Sequence, residues 1–81
     1  MKVVVKLFGP QARAAGRPQL AVELPPAATC KQLRQKLRQA APGLADSLNA
    51  SRFAVNQAFA NDAQSLQPGD EVALIGMVSG G

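Results

Sequence analysis

Histidine, tryptophan and tyrosine are absent from this 81-residue chain, and cysteine occurs once, at Cys30. Without histidine the usual zinc-ligand sets and the commonest general base are missing, and a lone cysteine excludes an internal disulfide framework. No metal site is expected. The aromatic complement is three phenylalanines, too few for the stacking platforms that hold single-stranded nucleic acid. Basic residues outnumber acidic ones by nine to five, for a net charge of +4. They are spread from Lys2 to Arg52, with a local concentration only between Lys31 and Arg38. A small basic RNA-binding module is therefore the weaker reading, and a protein partner with an acidic surface accounts for the charge equally well. No stretch approaches membrane-spanning length, and Met1-Lys2 leads into an alternating pattern without a signal-peptide core. The expectation is a cytoplasmic chain with neither nucleic acid nor membrane among its partners.

What is present is the composition of a folded domain: 47% hydrophobic and 17% charged residues, in a length that supports one core. Residues Lys2 to Phe8 alternate, with Val3, Val5 and Leu7 on one face and Lys2, Val4, Lys6 and Phe8 on the other, which predicts a half-buried strand. Gly9-Pro10 breaks it, and Gln11 to Ala15 is a helix-prone run closed by Gly16. Gln19 to Leu24 alternates again and ends at Pro25-Pro26, as a hairpin neighbour of the first strand.

Thr29 opens the main helix as an N-cap, and Gln32 completes a capping box. Cys30, Leu33, Leu37, Ala40 and Ala41 form its apolar stripe. Lys31, Arg34 and Arg38 line one edge, expected to be solvated, with their stems covering apolar surface. Cys30 stands at a helix start, where the dipole lowers a thiol pKa. It also belongs to the stripe and has no base beside it, so it reads as a buried structural cysteine.

Pro42-Gly43 ends the helix, and Leu44 to Leu48 predicts a further short turn. Arg52 to Asn56 reads as a third strand, Asn56-Gln57 as a turn, and Ala58 to Ala60 as a short extended piece. Pro68-Gly69 is a tight turn that launches a last strand, Glu71 to Ile75. This order suits an α+β domain in which one main helix crosses a mixed sheet of four to five strands, with short extra helical turns. The terminal strands are then parallel neighbours in the middle, which is the β-grasp plan.

The expected division is a body at 1–75 and a flexible tail at 76–81. The tail ends Val78-Ser79-Gly80-Gly81. Gly81 presents a carboxylate on a carbon without a side chain, which fits a narrow channel, and Gly80 extends that freedom by one residue. A frayed end is the alternative, but frayed ends seldom follow a core strand so directly. Phe59, in a piece too short to reach the core, and Ile75, which alternates with Val72 and Leu74, are expected to form an exposed apolar docking patch with Arg13 at its edge.

Taken together, Leu7-Phe8 with Arg13 and Gly16, then Val55-Asn56-Gln57, then Leu66-x-Pro68-Gly69-Asp70-Glu71-Val72-Ala73, and the final Val78-Ser79-Gly80-Gly81 resemble the MoaD family. These are the small subunits of molybdopterin synthase, within the MoaD/ThiS group of ubiquitin-like sulfur carriers. The resemblance covers the whole chain. It implies a non-catalytic carrier whose Gly81 becomes an acyl-adenylate and then a thiocarboxylate, with Val78, Ser79 and Gly80 threading the tail into its partners. The implied partners are a MoaE-like large subunit, in a heterotetramer, a MoeB-like adenylating enzyme that uses ATP, and a sulfur donor system. No cofactor is expected to be bound permanently. The acceptor implied is cyclic pyranopterin monophosphate, which gains the dithiolene of molybdopterin. Many members carry Pro-Pro where this chain has Gly76-Met77, so its tail is expected to be less stiff. A ThiS-like carrier for thiamine thiazole synthesis is the near alternative, though such chains commonly lack the helical insert at Gln11 to Gly16. A ubiquitin-like protein modifier is another, because an activated diglycine also acylates lysine.

Overall fold

A computed structural model describes residues 1–76. Its strands are β1 (Lys2–Lys6), β2 (Gln19–Glu23), β3 (Ser51–Val55), β4 (Ala58–Ala60) and β5 (Val72–Gly76). Its helices are α1 (Gly9–Ala15), α2 (Cys30–Ala40) and α3 (Ala45–Asn49), with a 3-10 turn at Pro42–Leu44 leading into α3. The strands form one sheet in the order β2-β1-β5-β3-β4. β1 and β5 run parallel at its centre, and the remaining pairs are antiparallel. This is the β-grasp plan that the element order implied.

The alternation in β1 sorts its side chains as expected: Val3 and Val5 are buried, and Lys2, Val4 and Lys6 face outward. In register beside them, Val22 lies opposite Val3, Leu20 opposite Val5, and Val72 also opposite Val5. Phe53 in β3 lies between Leu74 and Ala60 and is fully buried. One sheet face is thus the core face, and the helices cover it.

α2 is started by the capping box read from the sequence. Thr29 Oγ1 accepts from the Gln32 backbone N–H at 3.3 Å, and Gln32 Oε1 accepts from the Thr29 N–H at 2.8 Å. Such a cap is worth roughly 1 kcal/mol. Cys30, Leu33 and Leu37 are fully buried, but Ala40 is exposed and Ala41 only half-buried, so the apolar stripe is shorter than predicted. The reason is local: Ala41 leaves helical geometry at φ −140° and ψ 82°, and the chain turns into the 3-10 segment. Leu44 and Leu48 then take over the burial.

The basic edge of α2 also differs from a solvated row. Arg34 is half-buried, and its guanidinium donates to the carbonyls of Leu48 and Ser51 and, at 3.1 Å, to Asp62. Its carbon also lies 5.1 Å from the centroid of the Phe53 ring. Arg38 donates to Asn49 at 3.0 Å. The last carbonyls of a helix have no N–H of the same helix to bond, and here a side chain from α2 bonds that of Leu48 near the end of α3. Arg34 is a staple between α2, α3, β3 and the segment after β4.

Strand boundaries shift by one or two residues in β1, β2, β3 and β5. β1 ends at Lys6 because Phe8, still extended, serves as N-cap of α1. β5 spans Val72–Gly76 instead of Glu71 to Ile75, and Gly76 pairs with Ser51. Among the described residues, no helix is long and apolar enough to cross a membrane, and no group of His, Cys, Asp or Glu is arranged to hold a metal ion.

Candidate functional site

The face of the sheet turned away from the helices carries the outward side chains of every strand. In register across it, Lys6 lies opposite Ala73, Ala73 opposite Ala54, Ala54 opposite Phe59, and Arg52 opposite Ile75. Val4 stands beside Ala21 on the same face. Phe59 is 54% exposed and Val4 37%. Phe8 continues the alternation of β1 with an extended backbone and is 54% exposed. The face is therefore an apolar strip that also carries Lys6 and Arg52, with Lys2 opposite Glu23 at one end. Exposed apolar groups gathered on one surface mark interaction sites.

Of the residues expected to form the patch, Phe59 and Ile75 share this face, with Arg52 between them. The Arg52 guanidinium lies over the Phe59 ring, 4.7 Å from its centroid. Ile75 is half-buried rather than fully exposed, because it sits in a central strand between β1 and β3. Arg13 is exposed on α1, which packs against β5 and the 3-10 turn. Arg52, Val4 and Phe8 were missed as members of the surface. The signal for them was in the alternation, which had already put Val4 and Phe8 on the outward side.

The β3–β4 connection holds Phe59 in place. Asn56 and Gln57 have φ of 53° and 71°, the paired positive values of a type I′ hairpin turn. The Asn56 side chain accepts from the Glu71 N–H at 2.9 Å and donates to Asp70 Oδ1 at 3.0 Å. The other oxygen of Asp70 accepts from the Gln67 N–H at 2.8 Å. Two sequence motifs, Val55-Asn56-Gln57 and Leu66 to Glu71, thus form one bonded unit that seats the hairpin and starts β5.

Cys30 is fully buried beside Leu33 and Leu37. Burial pushes its thiol above the ordinary value, and the negative charge of Asp62 adds to the effect. A thiol held neutral in this way is a packing group and a poor nucleophile. A shallow groove between β2 and α2, lined by residues including Glu23, Gln35 and Lys36, lies on the helix side of the sheet. Val78, Ser79, Gly80 and Gly81, read from the sequence as the reactive tail, lie outside the described residues.

Comparison with known proteins adds to this geometry. The ThiS family matches residues 5–81 of the chain. A human protein named molybdopterin synthase sulfur carrier subunit is 35% identical over 83 residues, a span of 99% of this chain and 94% of that protein. Among solved structures, SAMP1 from Haloferax volcanii is 27% identical with a TM-score of 0.86, and the alignment covers 100% of both chains. A complex of subunits 1 and 2 of molybdopterin-converting factor from Helicobacter pylori contains a chain 28% identical to this one, with a TM-score of 0.70 and 100% of each chain covered.

Proposed function

The chain belongs to the ThiS family, and from that footing we propose that it is the sulfur carrier subunit of a molybdopterin synthase, with the sulfur borne on Gly81 as a thiocarboxylate. The observation that carries the reading is the run of β5. This central strand contributes Ile75 to the apolar face and leads in sequence directly to Val78-Ser79-Gly80-Gly81. Docking by the face then delivers the terminus to the partner.

The chemistry follows from what a carboxylate lacks. It is a poor electrophile at neutral pH, so its oxygen attacks the α-phosphorus of ATP and displaces pyrophosphate, giving an acyl-adenylate. Hydrosulfide attacks the carbonyl carbon, AMP leaves, and a thiocarboxylate remains. Its sulfur is then the nucleophile toward a cyclic pyranopterin monophosphate. Glycine at the reacting position removes steric conflict in a narrow channel. The acid-base groups belong to the partners: an adenylating enzyme that supplies the ATP site, and a large subunit that binds the pterin, as subunit 2 pairs with subunit 1 in the Helicobacter pylori complex. Lys6 and Arg52, set among the apolar side chains, suit a partner surface that carries acidic groups beside an apolar centre.

The likeness to SAMP1, a small archaeal modifier protein, supports a second reading in which the activated glycine acylates lysine. One experiment separates the two. The chain is incubated with an adenylating enzyme, ATP and sulfide, then weighed intact. Exchange of one oxygen for one sulfur, followed by molybdopterin formation with the large subunit, supports the carrier. Lysine conjugates without thiocarboxylate would replace it with the modifier.

A further inference from the structure

Gln11 is a polar residue in α1 that is only 9% exposed. Its carboxamide lies against Gly76, the last residue of β5. A methyl group placed on Gly76 would overlap Gln11 Nε2 and stand 3.1 Å from its Cδ and 3.2 Å from its Oε1. Gly76 does not have the left-handed backbone that calls for glycine at Gly16, with φ 75°, and Gly69, with φ 88°. At those two positions the space around the α-carbon is open. Gly76 is thus glycine for room, and Gln11 fills the room.

α1 is itself closely seated. A methyl at Gly43 in the 3-10 turn would stand 3.0 Å from the Ala14 carbonyl oxygen. The helix thus packs closely against both the 3-10 turn and β5. Burying a carboxamide is unfavourable unless its donors and acceptor find partners. Here the carboxamide packs directly against the α-carbon of Gly76, where any side chain on residue 76 would displace it.

We propose that Gln11 is a positioning residue for the reaction at the C-terminus. It packs over Gly76 and fixes the backbone from which the tail departs, supplying the restraint that a glycine cannot supply for itself. The inference rests on the carrier reading. It assigns docking to the sheet face and aim to the Gln11–Gly76 contact, so the two separate kinetically.

The test uses three variants of the full chain with its adenylating enzyme: Gln11→Ala, Gly76→Ala, and the two combined. Gln11→Ala frees Gly76, and Gly76→Ala displaces the amide. In the double variant the new methyl occupies the vacated space and confines residue 76 to ordinary backbone. Each single change is expected to lower kcat between about tenfold and a hundredfold, the range for small misplacements of a reacting group, with KM for the carrier unchanged. The double variant is expected to recover part of the loss. A double variant no better than the singles, or an effect confined to KM, would overturn the proposal.

A second arm needs no activity. Nuclear magnetic relaxation of the Gly76 amide should show larger fast motion in Gln11→Ala than in the wild type, and an unchanged amplitude defeats the proposal. If the wild type is never adenylated, the carrier reading fails, and the relaxation arm alone decides whether Gln11 holds Gly76.

Discussion

The guanidinium of Arg52 lies over the ring of Phe59, 4.7 Å from its centroid, and joins an exposed aromatic to the strand pair that carries Ile75. An aromatic flanked by arginine on an open face is the usual make-up of a binding hot spot. Phe59→Ala is expected to cost about 2 kcal/mol of binding to the large subunit, measured by titration calorimetry. Because Phe59 is 54% exposed, urea unfolding should place its stability within about 1 kcal/mol of wild type. A large drop in stability with unchanged binding would mean that Phe59 is a structural residue.

Arg34 predicts the opposite pattern. Its guanidinium satisfies two backbone carbonyls, those of Leu48 and Ser51, and an exposed carboxylate. Arg34→Ala leaves the carbonyls short of partners, at a cost of about 1–3 kcal/mol, and should leave partner affinity unaltered once the chain is folded. Arg34→Lys cannot reproduce the fork and should recover only part. Denaturant midpoints and calorimetry at low temperature read the two effects separately.

Asn56 combines a left-handed φ of 53° with two side-chain hydrogen bonds, to Asp70 and Glu71. Asn56→Ala loses the bonds and strains the turn, for about 1–3 kcal/mol. Asn56→Gly loses the bonds but keeps the backbone. The glycine variant should therefore be the more stable of the two, and equal stabilities would show that the backbone contributes nothing.

Cys30 gives a pH test. Burial raises its thiol pKa above the ordinary 9.0, so above that value the unfolded chain releases a proton that the folded chain retains. The stabilisation is fully present below pH 9.0 and is lost as pH rises through the folded value. Cys30→Ala removes this dependence along with some packing, for about 1 kcal/mol at neutral pH. Subtracting the variant's stability curve from the wild type's should leave a fall confined to alkaline pH, and sulfur loading should persist in the variant. Loss of loading in a folded Cys30→Ala chain would make the thiol functional.

Legibility in the sequence followed the range of the interactions. The alternation of Lys2 to Phe8, the Thr29–Gln32 capping box and the Asn56-Gln57 turn are settled by neighbours within a few residues, and each was readable. The parallel pairing of β1 with β5 was readable too, because the element order admits few unknotted sheets. Arg34 was read as a solvated edge because its partners at Leu48, Ser51 and Asp62 are distant in sequence. The burial of Gln11 was illegible for the same reason, since a polar residue in a short surface helix gives no hint that Gly76 lies under it. Gly76 itself read as the start of a loose tail, yet it pairs with Ser51 and is covered by Gln11. Ile75 was placed on the outward side by alternation and Phe59 by the shortness of its extended piece, and Arg52 was overlooked because a charged residue on the outward side of a strand looks ordinary.

If Gly81 carries the sulfur, the α-carboxyl must be free, because adenylation places phosphorus on its oxygen. A channel that admits Gly80-Gly81 in extended form has little room for a side chain. Deleting Gly81, or blocking its carboxyl with one further residue that is not removed, should abolish loading, and Gly80→Val should act similarly by crowding. None of these changes touches the core described within residues 1–76, whose last member is Leu74, so the thermal unfolding midpoint should stay at the wild-type value. Intact mass after incubation with adenylating enzyme, ATP and sulfide reads the outcome directly. A blocked chain that still exchanged oxygen for sulfur and still supported molybdopterin formation would place the sulfur elsewhere and defeat the carrier assignment of Gly81.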